Sequence, residues 1–227
     1  MSSLARLAFF DFDGTLASSN IVTRYAWLAR HLPSRVASAW RFSRLLVSVP
    51  FYLALDSYSR RLFNQVFFHS YRGLRQVWLE EFSQRVFEAV IQPSIHPGAP
   101  AFVQGIREED VRLVLVSGEL DFLLRPVVRF FNFDDLIANR LEFDRGVATG
   151  RVAPPLLAEA QKVEAMRECC RRTGAAMAES SAFSDSFSDV PMLEAVGSAT
   201  AVNPDRRLRR EAVRRGWRVV DLTSRPG

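Results

Sequence analysis

Leu4-Ala5-Arg6-Leu7-Ala8-Phe9-Phe10-Asp11-Phe12-Asp13-Gly14-Thr15-Leu16 is a short apolar run that meets two aspartates and a glycine. Residues 4–12 suit a buried parallel strand, because they are apolar almost throughout and Gly14 bounds them. Alternation along such a strand points Asp11 and Asp13 to the same side, at its mouth. In open α/β sheets that carboxyl end is where ligands bind.

Downstream, four more runs have the same character. Val111–Val116 ends at Ser117-Gly118, Ser181–Ser184 precedes Asp185, Ala199–Val202 precedes Asn203-Pro204, and Trp217–Val220 lies near the end. Helical patterns cover 101–107, 120–131, 156–172, 190–196 and 206–214. Strands alternating with helices predict a parallel sheet covered on both faces. Residues 17–95 break this rhythm. They hold no clear strand, only helical stretches near 20–31, 34–47, 57–70 and 72–92. Pro33 and Pro50 punctuate the early turns, and Gln92-Pro93 with His96-Pro97-Gly98 closes the segment. The expected architecture is an α/β core, 1–16 and 96–227, interrupted after its first strand by a helical cap domain, 17–95.

The strand ends gather Asp11, Asp13, Ser117, Asp185 and, one helical turn on, Asp189, with Lys162 on an intervening helix. Convergent carboxylates repel unless a cation sits among them. Oxygen donors without nitrogen or sulfur favour Mg²⁺ over zinc. Magnesium takes its remaining ligands from water and from a substrate phosphate, so phosphoryl transfer is the implied chemistry. A carboxylate nucleophile is an established route to it.

Composition agrees with a soluble globular chain, 48% hydrophobic and 24% charged over 227 residues. The adjacent Cys169 and Cys170 cannot easily reach disulfide geometry, and the run after Met1 does not read as a signal peptide, so a cytoplasmic setting is expected. His31, His69 and His96 are scattered and form no zinc-ligand pattern. The longest uncharged apolar stretch, Leu45 to Leu55, is eleven residues, against the about 20 a membrane helix needs. No transmembrane segment is expected. Of 30 basic residues 29 are arginine, and the exception is Lys162. A compact ammonium at one place suggests a job a planar fork cannot do.

Phe10–Leu16 resembles the first motif of the haloacid dehalogenase superfamily, subfamily IB. Ser117 resembles the second motif's serine or threonine, Lys162 the third motif's lysine, and Phe183-Ser184-Asp185-Ser186-Phe187-Ser188-Asp189 the fourth. The helical insertion and Ala201-Val202-Asn203-Pro204-Asp205 resemble the phosphoserine-phosphatase-like branch. The resemblance implies a Rossmann-like core and a phosphomonoester phosphatase acting through an aspartyl-phosphate on Asp11. Asp13 would then be general acid and base. Mg²⁺ would be held by the Asp11 and Asp185 side chains and the Asp13 carbonyl. Gly14, Thr15, Ser117, Gly118 and Lys162 would meet the phosphate, with Asp189 supporting the metal or Lys162. Where phosphoserine phosphatases place a glutamate, this chain has Asn20, a substrate-selecting candidate that pairs less well with an ammonium.

The expected substrate is a small-molecule or lipid-like phosphate. The cap has ten arginines and four acidic residues, and 14 of the chain's 26 aromatics. Those aromatics serve either as the core of a helical bundle or as a grip on an apolar, anionic substrate or membrane surface. Peripheral membrane contact is thus allowed, whereas nucleic acid is not expected as a partner. Two alternatives stay open: a phosphotransferase of the same chemistry, and a catalytically silent membrane- or nucleic-acid-binding module.

Overall fold

The computed structural model describes residues 6–107 and 111–224. Residues 1–5, 108–110 and 225–227 of the expected core lie outside it. The first strand, β1 (Leu7–Phe10), stops just before Asp11. Helices α1 (Ile21–Arg30), α2 (Arg35–Tyr58), α3 (Arg60–Phe68) and α4 (Gln76–Val86) follow, the last continued by a π-helical turn, Phe87–Ile91. Then come α5 (Ala99–Arg107), β2 (Arg112–Leu120), α6 (Asp121–Phe131), β3 (Asp135–Asn139), β4 (Leu141–Asp144) and β5 (Val147–Val152). The chain finishes with α7 (Ala160–Thr173), β6 (Ser181–Ser184), α8 (Val190–Glu194), β7 (Ser198–Val202), α9 (Arg206–Arg215) and β8 (Arg218–Val220).

Six strands form one parallel sheet in the order β3-β2-β1-β6-β7-β8. β1 is central, and its alternation splits the core. Leu7 and Phe9 join Val114, Val116, Met166 and Leu208 on one face. Ala8 and Phe10 join Leu113, Leu115 and Phe122 on the other. Both faces are apolar because helices cover both, as a parallel sheet requires.

The inserted helices have no separate core. Tyr25, Phe67 and Phe82 belong to the same cluster as Phe10 and Leu115. Most of the aromatic excess between residues 17 and 95 is therefore ordinary packing. A second, two-stranded sheet pairs β4 with β5 antiparallel. It ties the insertion to the rest: Gly73 donates to Ala148 O and Gln76 to Gly146 O. Neither this hairpin nor β3 was anticipated from sequence.

Pro50 is a correction. It was expected to punctuate a turn, yet it lies inside the 24-residue α2. An interior proline costs about 3 kcal/mol. One continuous helix here buries both Leu45 and Tyr52, at about 1.5–3 kcal/mol for each large side chain. Burial wins. No helix among the described residues is long and apolar enough to cross a membrane. Cys169 and Cys170 are free thiols, buried behind the sheet.

Candidate active site

Asp11 is the first residue beyond β1, anchored by its N–H to Phe183 O at 2.9 Å. The next five residues fold into a tight turn in which Leu16 N donates to Phe12 O at 3.0 Å and Gly14 N to Ala17 O at 2.8 Å. Two distant residues hold the turn from outside. Asn203 Nδ2 donates to Gly14 O at 3.3 Å and Thr15 O at 3.1 Å, and His96 Nε2 lies 3.1 Å from Gly14 O. The motif's conformation is thus set by the end of β7 and by the segment leading into α5.

Lys162 is buried in the first turn of α7. Its Nζ donates to Asp11 Oδ1 at 2.7 Å and to both oxygens of Asp189 at 2.9 Å. Burial opposes the ammonium's charge, but Asp11 and Asp189 outweigh it and raise the pKa above its ordinary value. Asp189 stands at the N-cap position of α8 without capping it. Its carboxylate is spent on Lys162 and on the Ser184 hydroxyl, 2.8 Å away. The lone lysine of the sequence is therefore the centre of a buried charge cluster.

Asp185 follows β6 and faces Asp11 across the turn. Thr15 Oγ1 donates to Asp185 Oδ1 at 3.0 Å and is 3.4 Å from Asp11 Oδ2. Gly14 has φ +83°, and a Cβ there would lie 2.0 Å from Asp185 Oδ2. Two expectations change accordingly. The glycine makes room for a carboxylate, and the fully buried Thr15 spends its hydroxyl between two carboxylates instead of presenting it to a phosphate.

Burial and the neighbouring Asp11 push Asp185 up to about 8, since no basic side chain among the described residues pairs with it. Asp11 is pushed up to about 6 by burial, against the pull of Lys162. Among the described residues no three His, Cys, Asp or Glu side chains gather closely enough to hold a metal alone. Two under-compensated carboxylates supplemented by a backbone oxygen fit a hard divalent cation that keeps part of its water shell. Asp11, Asp185 and the Asp13 carbonyl are the donors at hand.

On β2, Ser117 is buried, and its Oγ accepts from Glu119 N at 3.1 Å. Gly118 O takes Asn139 Nδ2 at 2.7 Å, which fixes the end of the strand. Asp11, Asp13, Ser117, Gly118, Lys162, Asp185 and Asp189 line one cleft of about 280 Å³, walled on its far side by Ile21, Arg60 and Asn64 of the inserted helices. The expected site residues do converge, apart from Thr15 behind the surface and Gly14 and Asn20, which line a neighbouring cleft.

Asn20 caps α1. Its Oδ1 accepts from Val22 N at 3.1 Å and Thr23 N at 3.0 Å, and Thr23 Oγ1 accepts from Asn20 N at 3.0 Å, a complete capping box. The cap takes the amide oxygen of Asn20, and the residue also lines that second cleft beside the first. The residue that sequence reasoning missed is Arg24, one turn on. It is fully buried. It donates to Asp13 Oδ1 at 2.5 Å, Glu119 Oε2 at 2.9 Å and Ser19 O at 2.9 Å, and lies over the Phe12 ring at 5.0 Å. Burial pushes Glu119 up to about 7 despite this partner. A helical spacing from Asn20 was the one available signal, and it does not reveal burial.

A model of the haloacid dehalogenase-like hydrolases matches residues 8–194. A protein from Streptomyces azureus described as inhibiting morphological differentiation is 34% identical over 152 residues, 66% of this chain and 54% of that one. The chain thus spans about half the length of that relative. A phosphoserine phosphatase of Halobacterium salinarum is 32% identical over 204 residues, 87% of this chain and 86% of its own. A solved structure of unknown function from Bordetella pertussis Tohama I superposes with a TM-score of 0.82 at 28% identity, covering 97% of this chain and all of the other.

Proposed function

The chain belongs to the haloacid dehalogenase-like hydrolases, in their phosphoserine-phosphatase-like branch, and as a phosphatase of that family we propose that it is a magnesium-dependent phosphomonoesterase forming a phospho-enzyme on Asp11. The observation that carries the reading is the pairing of Asp11 with Lys162 at 2.7 Å, at the mouth of the central strand. An Asp11 oxygen attacks phosphorus as the bond to the leaving oxygen breaks, and Asp13 gives that oxygen its proton. Water then attacks the aspartyl-phosphate, Asp13 takes the proton from it, and inorganic phosphate departs. Lys162 and Ser117 bind phosphoryl oxygens, and Asp189 orients the ammonium. Magnesium on Asp11, Asp185 and the Asp13 carbonyl would supply charge neutralisation for the phosphoryl group. Residues 17–95 act as the cap over the core formed by 1–16 and 96–227, in a cytoplasmic setting.

Arg24 is the positioning residue for Asp13, because a fully buried guanidinium clamps the carboxylate that must reach the leaving oxygen. In kcat/KM, which reports formation of the phospho-enzyme and not its hydrolysis, Arg24→Gln should lose about 10²-fold on an alkyl phosphate, whose leaving oxygen needs the proton, but less than about tenfold on 4-nitrophenyl phosphate. Equal losses on both would reduce Arg24 to a structural tie between α1 and β2.

A second cleft of about 360 Å³ opens beside the first and shares Asp13, Ile21, Arg60 and Asp185 with it. Val22, Val49, Tyr52, Leu53 and Phe63 give it an apolar part, alongside Ser18, Ser19, Asn20 and Thr23. This supports a substrate whose non-phosphate part is apolar, aryl or lipid-like, over one carrying a compact ammonium. The test is phosphate release from a panel of aryl, lipid-like and amino-acid phosphates, with magnesium and with chelator. Release should require magnesium, and kcat/KM for phosphoserine should fall below that of the apolar esters. Full activity in chelator would overturn the metal, and phosphoserine as best substrate would overturn the pocket assignment. Free phosphate as the product also separates hydrolysis from transfer to another acceptor.

A further inference from the structure

Helix α2 is apolar on two opposite sides. Leu45 and Tyr52 are buried against the protein, whereas Val36, Trp40, Val47, Phe51 and Tyr58 are 81%, 69%, 82%, 56% and 82% exposed. At about 100° per residue those five fall within about 60° of arc, roughly opposite the buried pair. The spacings of four, seven, four and seven keep them in a nearly straight line about 33 Å long. A lone exposed valine needs no explanation, but five exposed apolar residues aligned over this length, interrupted only by Ser43, do.

We infer that the stripe is a docking face for an anionic lipid surface, which α2 meets lying flat. Three observations favour this occupant over a second copy of the chain. Residues 34–75 hold seven arginines and one acidic residue, Asp56. Two such faces brought together would repel, whereas an anionic bilayer attracts each of them. Arg35, Arg44 and Arg61 are exposed, and Arg44 borders the stripe on the helix. The stripe also contains Trp40, Phe51 and Tyr58, large rings of which Trp and Tyr settle readily at a headgroup boundary. A flat amphipathic element of this kind binds through buried apolar area plus attraction to anionic headgroups.

The inference stands apart from the phosphatase reading, because binding is measured without substrate. Wild-type protein is floated with vesicles containing about 30% phosphatidylglycerol and with pure phosphatidylcholine vesicles, at about 0.1 M salt. It should partition at least about tenfold more strongly onto the anionic vesicles. The double variant Trp40→Ser, Phe51→Ser should lose at least about tenfold of that binding, while its hydrolysis of a soluble aryl phosphate stays unchanged. Asp11→Asn should float like wild type. No flotation on anionic vesicles, or equal flotation of the double variant, overturns the assignment. Sedimentation analysis closes the other route: a wild-type dimer that the double variant dissociates would mean that a second copy covers the stripe.

Discussion

Asp11→Asn should lower kcat for an aryl phosphate by at least about 10⁴-fold, since an amide cannot serve as the nucleophile. The side chain sits in a buried pair with Lys162, and the substitution changes charge while keeping shape. Removing one partner of a buried ion pair commonly destabilises by about 3–5 kcal/mol. Here Lys162 still has both oxygens of Asp189. Burial pushes the Asp11 carboxyl up to about 6 despite Lys162, so its charge is costly in the folded protein and a neutral amide relieves that cost. The variant should therefore fold with little change in Tm while losing turnover. Mass analysis of acid-quenched wild type should detect a phosphorylated enzyme that the variant does not form. Turnover retained by Asp11→Asn would remove Asp11 from the nucleophile's role.

Lys162→Arg should lower kcat/KM by at least about 10²-fold although the charge is kept. The ammonium is a compact point that reaches Asp11 at 2.7 Å and both Asp189 oxygens at 2.9 Å from within a buried site. A guanidinium is larger and planar, and its donors are fixed in a fork. It would satisfy Asp189 in a bidentate manner and displace Asp11 or occupy the space meant for a phosphoryl oxygen. The measurement is steady-state kinetics at saturating magnesium, with Tm as the folding control. Near-normal kinetics would mean that the lone lysine is an accident of composition.

Several features were legible before any coordinates. Apolar runs ending in Asp11, Ser117 and Asp185 are strands whose carboxyl ends do meet in one cleft. That follows from sheet topology: parallel strands deliver all their carboxyl ends to one edge. The strand β3 was less visible. It is an edge strand, half-buried through Asp135-Leu136-Ile137-Ala138, so it has neither a continuous apolar run nor clean alternation. The hairpin of β4 and β5 is short and is stitched to residues 73–76 by contacts remote in sequence.

The sequence by itself determined five of the sheet's six strands, the helical character of the segment after the first, and the convergence of Asp11, Asp13, Lys162, Asp185 and Asp189. Those depend on local apolar periodicity and on the geometry of a parallel sheet. Only the tertiary structure decided that Pro50 stays inside α2, that Asn20 caps a helix, and that Thr15 lies behind the carboxylates. It alone singled out Arg24 from ten cap arginines, because its partner Glu119 is 95 residues away. It also separated the aromatics that fill the core from Trp40, Phe51 and Tyr58, which do not. Burial and long-range pairing are properties of the folded whole, and residue spacing along the chain does not encode them.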